Sequence, residues 1–156
     1  MSLDEATAAV RNAANWFWWV AGLSAVNSVA TALESQYGMI LGLGVTQIFD
    51  LLMVGALQEA SGTGETIVKA VHLALVAGAV GFFYLMGQKA RQLKLWAFVL
   101  GMLVYAADAL IFVYIQDWIG VGFHAFVLFM IWGGYGIAKQ IREHAARSPH
   151  RELVGG

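Results

Sequence analysis

The sequence predicts an all-α integral membrane protein, a helical bundle of about five transmembrane helices. Of its 156 residues, 60% are hydrophobic and 12% are charged. A soluble domain has roughly 45–50% apolar and about 25% charged residues, so the composition favours a membrane protein. The apolar residues form long runs that contain small residues and lack the alternation of a strand. Such runs indicate helices rather than a β-barrel.

Five apolar runs approach or exceed the ~20 residues that a spanning helix needs, and short polar segments separate them. The predicted spans are 15–34, 38–58, 66–88, 95–116 and 118–138. They form one transmembrane domain over 1–144, and residues 145–156 are predicted to be a disordered cytoplasmic tail. The first span carries a stripe of polar residues and the second carries Asp50, so these two are the candidates for a re-entrant segment.

Two of the predicted helix pairs resemble each other, which indicates a tandem repeat of a two-helix hairpin. A shift of 58 residues overlays Asp50 on Asp108, and a shift of 52 residues overlays His72 on His124. Each unit therefore has an aspartate on its first helix and a histidine on its second. The units are 38–91 and 95–142. Parallel repeats of this kind occur in membrane transporters.

The distribution of Lys and Arg predicts the orientation. Seven of the nine cations follow the third or the fifth span, and an excess of Lys and Arg marks cytoplasmic segments. Five crossings then put the C-terminus in the cytoplasm and the N-terminus outside, in a bacterial inner or plasma membrane. The acidic start of the chain does not resemble a cleaved signal peptide.

Four ionisable residues inside the predicted spans are the candidate functional residues: Asp50, His72, Asp108 and His124. An aspartate in the centre of a membrane helix costs about 2.5–3.5 kcal/mol even on the lenient insertion scale, so such residues are rarely without a role. A rise of ~1.5 Å per residue puts all four in the outer half of the bilayer. We therefore predict one shared polar site. Three further residues are expected to support it: Gln47, Tyr105 and Asn27.

This chemistry admits three functions. The first is a cavity that binds or passes a small polar solute, an ion or a proton, since histidine ordinarily ionises near neutral pH. The second is a metal-dependent membrane enzyme, because two imidazoles and two carboxylates suit a divalent ion such as Zn²⁺. The third is structural: each aspartate pairs with the histidine of its own hairpin, in a scaffold or a lipid-interacting subunit.

Composition limits the remaining classes. The chain has no Cys, which excludes disulfides, thiolate metal sites and cysteine nucleophiles. The sequence shows no basic surface of the kind that binds nucleic acid, so we expect no nucleic-acid partner. The expected partners are the bilayer, a small ligand or cation, and a second copy of the chain. Gly38 and Gly42 form a GxxxG pattern that predicts close helix packing. Lys69 either extends its amine to the membrane interface or attracts an anionic ligand.

Overall fold

The computed structural model describes residues 1–32 and 42–147. Within these ranges the chain forms five helices: α1 (Leu3–Ala32), α2 (Gly44–Glu59), α3 (Thr63–Arg91), α4 (Leu95–Tyr114) and α5 (Trp118–Arg147). The predicted all-α bundle is confirmed. Helix α1 packs mainly against α3 and α5, and α4 packs against α5 and α3. Buried side chains such as Phe17, Phe98 and Ile131 fill the space between these helices.

Helices α3, α4 and α5 are each long and apolar enough to cross a membrane. Helix α2 has only 16 residues, fewer than a spanning helix needs. Helix α1 has 30 residues, but polar side chains such as Asn15 and Asn27 lower its hydropathy. The two segments that the sequence analysis named as candidates for a re-entrant segment are thus the two described helices that length and composition do not identify as membrane spans. Of the tail predicted over 145–156, the first three residues belong to α5, and 148–156 lie outside the described residues.

Helices α1 and α2 run in the same direction. The hydroxyl of Ser24 on α1 accepts a hydrogen bond from the amide of Leu43, which immediately precedes α2. Seven residues further along each chain segment, the Thr31 hydroxyl meets the Asp50 carboxylate. Later residues of α1 therefore contact later residues of α2. Five successive crossings would require α1 and α2 to run in opposite directions, and these two helices do not.

The predicted GxxxG pattern does not lie on a helix that the structure describes. Gly42 precedes α2 and has a φ of +156°, with the Ser24 hydroxyl close to the place that a Cβ would occupy. Gly38 lies outside the described residues. Gly42 therefore allows the chain to approach α1 closely before α2 begins, and it plays no part in packing one helix on another.

Both ends of the described chain lie at one end of the bundle. The guanidinium of Arg91, at the end of α3, donates a hydrogen bond to the Asn15 side chain on α1. A Cβ built on Gly134 of α5 would collide with the Cβ of Ala13. The first part of α1 and the last part of α5 therefore extend past the α3–α4 turn side by side. The sequence predicted the two termini on opposite sides, whereas the described ends of α1 and α5 lie together because α2 runs parallel to α1.

We call this end of the bundle the cationic end. It holds all but one of the described Lys and Arg residues: Arg11, Lys89, Arg91, Lys94, Lys139, Arg142 and Arg147. The exception is Lys69, in the second turn of α3, which lies towards the opposite end beside the α2–α3 turn. The charge asymmetry inferred from the sequence is therefore stronger in the structure than in the predicted topology.

Candidate functional site

Asp50 and His72 form a buried pair within the first hairpin. Asp50 lies nine residues before the end of α2, and His72 lies nine residues after the start of α3. Residues equally far from the turn of an antiparallel hairpin face each other, so the two side chains meet. The distance from His72 Nε2 to Asp50 Oδ1 is 2.7 Å. The pairing of each aspartate with the histidine of its own hairpin, one of the three sequence hypotheses, thus holds here.

The other oxygen of Asp50 faces the polar stripe of α1. The side chains of Asn27 and Ser28 donate to Oδ2 over 3.4 and 3.3 Å. The Thr31 hydroxyl lies 3.5 Å from Oδ2 and donates over a shorter distance, 3.2 Å, to the carbonyl oxygen of Asn27. The spacing of three to four residues puts these donors on one face of α1. Their distances to Oδ2 exceed the usual range of a strong hydrogen bond. The Asp50 carboxylate is therefore held firmly by His72 and only weakly by α1.

Asp108 and His124 form the corresponding pair in the second hairpin, each six residues from the turn-facing end of its helix. The distance from His124 Nε2 to Asp108 Oδ2 is 3.0 Å. His124 Nδ1 donates to the carbonyl oxygen of Gly120 over 2.8 Å. The imidazole also stacks on the ring of Tyr105, with 4.3 Å between ring centroids. Both nitrogens and a face of this imidazole are thus occupied within the bundle.

Asp108 also caps the start of α2 from a different helix. Its Oδ2 accepts the amide hydrogen of Gly44 over 2.7 Å, and its Oδ1 accepts that of Val45 over 2.8 Å. The first amides of a helix have no partner within the helix, and a carboxylate there also interacts favourably with the helix dipole. Leu43, which binds the Ser24 hydroxyl, is fully buried. Helix α2 therefore begins inside the bundle, where Asp108 supplies the acceptors that water would otherwise provide.

The hydrogen bonds of His124 fix its protons. A carbonyl oxygen only accepts, so Nδ1 carries a hydrogen. The contact from Nε2 to Asp108 requires a second hydrogen between those two atoms. The pair therefore holds an imidazolium and a carboxylate, or the neutral forms of both, and its net charge is zero. A pair that is neutral as a unit avoids most of the cost of burying an isolated charge.

The two pairs are separate sites. Asp108 contacts Gly44, whereas Asp50 lies six residues further along α2, a rise of ~9 Å. The single shared cluster expected from the sequence is therefore not formed. Within residues 1–32 and 42–147, no group of three or more His, Asp or Glu side chains is arranged to hold a metal ion. The four-ligand metal site considered above requires a convergence that these helices do not produce.

The first pair borders an open groove. This groove, which we call the α1–α3 groove, has a volume of about 770 Å³ and lies between α1, α2 and α3. His72, Ser28 and Thr31 contribute polar groups to it, and Gln58 and Lys69 stand at one end. The remaining lining is apolar: Ala25, Val29, Met53, Val54, Leu57, Leu73, Val76, Ala77 and Val80.

The three supporting residues expected from the sequence are placed differently. Asn27 contacts Asp50 as described. Tyr105 is fully buried and stacks on His124, but its hydroxyl has no hydrogen-bond partner among the described residues. Gln47 is half-buried, and its side chain forms no hydrogen bond within the same part of the chain. Asn27 thus belongs to the first pair and Tyr105 to the second, while Gln47 joins neither.

Sequence reasoning found the His124 partner of Asp108 but missed its two backbone partners. The backbone amides of Gly44 and Val45 leave no mark in an amino-acid sequence, so the cap was not foreseeable. Ser28 and Thr31 were recognisable as part of a polar stripe on α1, and this stripe is the sequence feature that indicates them as candidate partners of Asp50.

Comparisons with protein-family models, curated proteins and solved structures give no match to this chain. Function is therefore inferred from the geometry of the two Asp–His pairs and of the α1–α3 groove.

Proposed function

We propose that this membrane protein binds a small amphiphilic molecule in the α1–α3 groove, with the polar head of that molecule at the Asp50–His72 pair. The observation that carries the proposal is the position of His72, which is bonded to a buried carboxylate and also lines a largely apolar groove. Pockets for small molecules commonly combine apolar walls with a few polar groups that orient the ligand.

The two pairs have different capacities to bind a ligand. Asp108 accepts from two backbone amides and from His124, and His124 is only 1% exposed. His72 is 7% exposed, and within the described residues its Nδ1 forms no hydrogen bond. A nitrogen without a partner on a residue that lines a groove is available to a ligand. We therefore assign ligand binding to the first pair and a structural role to the second.

The shape of the groove supports entry from the membrane and does not favour passage through the bundle. Val29, Val54 and Leu73 line the groove and are 57%, 44% and 67% exposed, so the groove opens on the outside of the bundle. Helices α3, α4 and α5 are long and apolar enough to cross a membrane, so we expect such exposed apolar surfaces to meet lipid. A molecule dissolved in the bilayer reaches this groove without crossing the protein, and its apolar part then stays in hydrocarbon.

The cationic end supports an orientation for the bundle. Since an excess of Lys and Arg marks the cytoplasmic side, we assign that end, with both termini, to the cytoplasm. The α2–α3 turn and the mouth of the groove at Lys69 then face the outer leaflet. This revises the orientation predicted from the sequence only for the N-terminus.

Photolabelling tests the proposal. Full-length protein in liposomes is exposed to a long-chain fatty acid that carries a diazirine on its chain, and the labelled peptides are mapped by mass spectrometry. We expect labelling of α3 near Leu73 and Val80. Ala77→Trp fills the groove and should remove that labelling, whereas Ala74→Trp is a matched control on an exposed position of the same helix outside the groove.

A contrary result is equally defined. Equal labelling of the two tryptophan variants would overturn the proposal. The apolar surface of α4 and α5 around Val99 and Trp132 serves as the internal reference, because it forms a depression of about 590 Å³ without an Asp–His pair. Labelling there as strong as in the α1–α3 groove would mean that the probe only reports contact with lipid.

A further inference from the structure

We infer that the ligand of the α1–α3 groove is an anionic single-chain amphiphile, whose carboxylate or similar head binds Lys69 and His72. This inference rests on the proposed function and adds the charge and the length of the ligand. Three observations carry it: the position of Lys69, the second nitrogen of His72, and the extent of the apolar wall.

Lys69 is the one described cation away from the cationic end, and it lines the groove. In the described part of the chain, no carboxylate lies within ion-pair distance of its amine. It stands one turn of α3 from His72, so the two side chains lie on the same face of that helix. A cation without a carboxylate partner, beside an apolar groove, complements an anionic head.

His72 supplies a second donor to such a head. Asp50 takes up the Nε2 side of the imidazole, and a buried carboxylate is costly unless an opposite charge pairs with it. A protonated His72 satisfies that requirement, and its Nδ1 then carries a hydrogen as well. The Asp50–His72 pair has no net charge in this state, so Asp50 does not repel an anion held by Lys69 and Nδ1.

The apolar wall sets the length of the tail. Leu73, Val76, Ala77 and Val80 follow one another at intervals of one or three residues along the face of α3 that lines the groove. From Lys69 to Val80 the helix rises ~16 Å, which is about half of the ~30 Å hydrocarbon core. A single chain within one leaflet fits this length, with its head at the mouth of the groove.

The test separates the charge of the head from binding itself. A diazirine fatty acid and the chain-matched fatty alcohol are each titrated against the full-length protein in liposomes at neutral pH, with groove labelling as the readout. We expect the acid to bind about tenfold more tightly than the alcohol, the ratio that ~1.4 kcal/mol produces. Lys69→Gln should abolish this ratio by weakening the acid alone, and Lys69→Arg should retain it.

Lys94→Gln, at the cationic end, is the matched control and should leave the ratio unchanged. Equal binding of acid and alcohol to the groove of the unaltered protein would overturn the anionic head while the proposed function stands. An unchanged ratio in Lys69→Gln would also overturn it. Failure of both probes to label the groove would overturn the proposed function, and this inference with it.

Discussion

Replacement of Asp108 by alanine should destabilise the bundle far more than the same change at Asp50. Asp108→Ala leaves the amides of the buried Gly44 and the half-buried Val45 without acceptors and removes the partner of His124 Nε2. A buried donor that loses its partner costs about 1–3 kcal/mol, and a broken buried ion pair costs about 3–5 kcal/mol. Because these losses overlap, we expect a decrease of about 4 kcal/mol in the free energy of unfolding.

Asp50→Ala should cost only about 1–2 kcal/mol. The α1 donors to Asp50 lie 3.3–3.5 Å away, and the Thr31 hydroxyl already bonds to the carbonyl oxygen of Asn27. His72 borders the groove, so polar groups from outside the bundle can reach it. Removal of the Asp50 carboxylate therefore leaves fewer hydrogen-bond donors without an acceptor than removal of the Asp108 carboxylate.

The difference is measurable by titration of refolded protein with a denaturing detergent in mixed micelles, followed by helix content. Hydrogen exchange of the peptide that contains Gly44 and Val45 gives a local readout, which should accelerate in Asp108→Ala and not in Asp50→Ala. Asp108→Asn retains one acceptor oxygen and should fall between the two. Equal costs for the two alanine variants, or unaltered exchange at Gly44, would refute the assignment of Asp108 as a cap.

Three further outcomes are expected. Gly134→Ala should destabilise the bundle by about 1–3 kcal/mol in the same detergent titration, because the added methyl group meets α1. Gly136→Ala is the control: its methyl group enters open space, so this variant should be neutral or slightly stabilising. Tyr105→Phe should stabilise the bundle by up to about 1–2 kcal/mol, since the Tyr105 hydroxyl is buried without a partner among the described residues. A loss of thermal stability in this variant would contradict the prediction and would mean that the hydroxyl has an acceptor. The chain has no cysteine, so single-cysteine variants report topology directly. An impermeant thiol reagent added to sealed vesicles should label Thr7→Cys from one side and Ser61→Cys from the other. Labelling of both variants from the same side would contradict the arrangement of α1.

Much of the architecture was predictable because it depends on hydropathy and on local spacing. Long apolar runs identified α3, α4 and α5, and the short polar segments between them located the turns. The partners of Asp50 and Asp108 were also within reach, since a short turn forces residues equally distant from it to face each other. The structural alternative stated at the outset described this pairing correctly.

The relation between α1 and α2 was not predictable from the same signals. Hydropathy measures how well a segment tolerates lipid. It does not show which later residue accepts the hydrogen bonds of the backbone amides at the start of that segment. The amides of Gly44 and Val45 depend on Asp108, 64 and 63 residues away along the chain. Without that long-range bond the segment is interpreted as another span that crosses the membrane, and the two termini are then predicted on opposite sides.

The same bond has a consequence for biogenesis. When α2 leaves the ribosome, Asp108 has not yet been synthesised, so the first amides of α2 still lack their acceptors. We therefore expect that α2 does not reach its final position in a separate insertion step of its own. The later hairpin must arrive first and present its carboxylate. Membrane integration of this chain is therefore expected to be non-sequential, and a nascent chain truncated before Asp108 should leave its second helix accessible to water-soluble reagents.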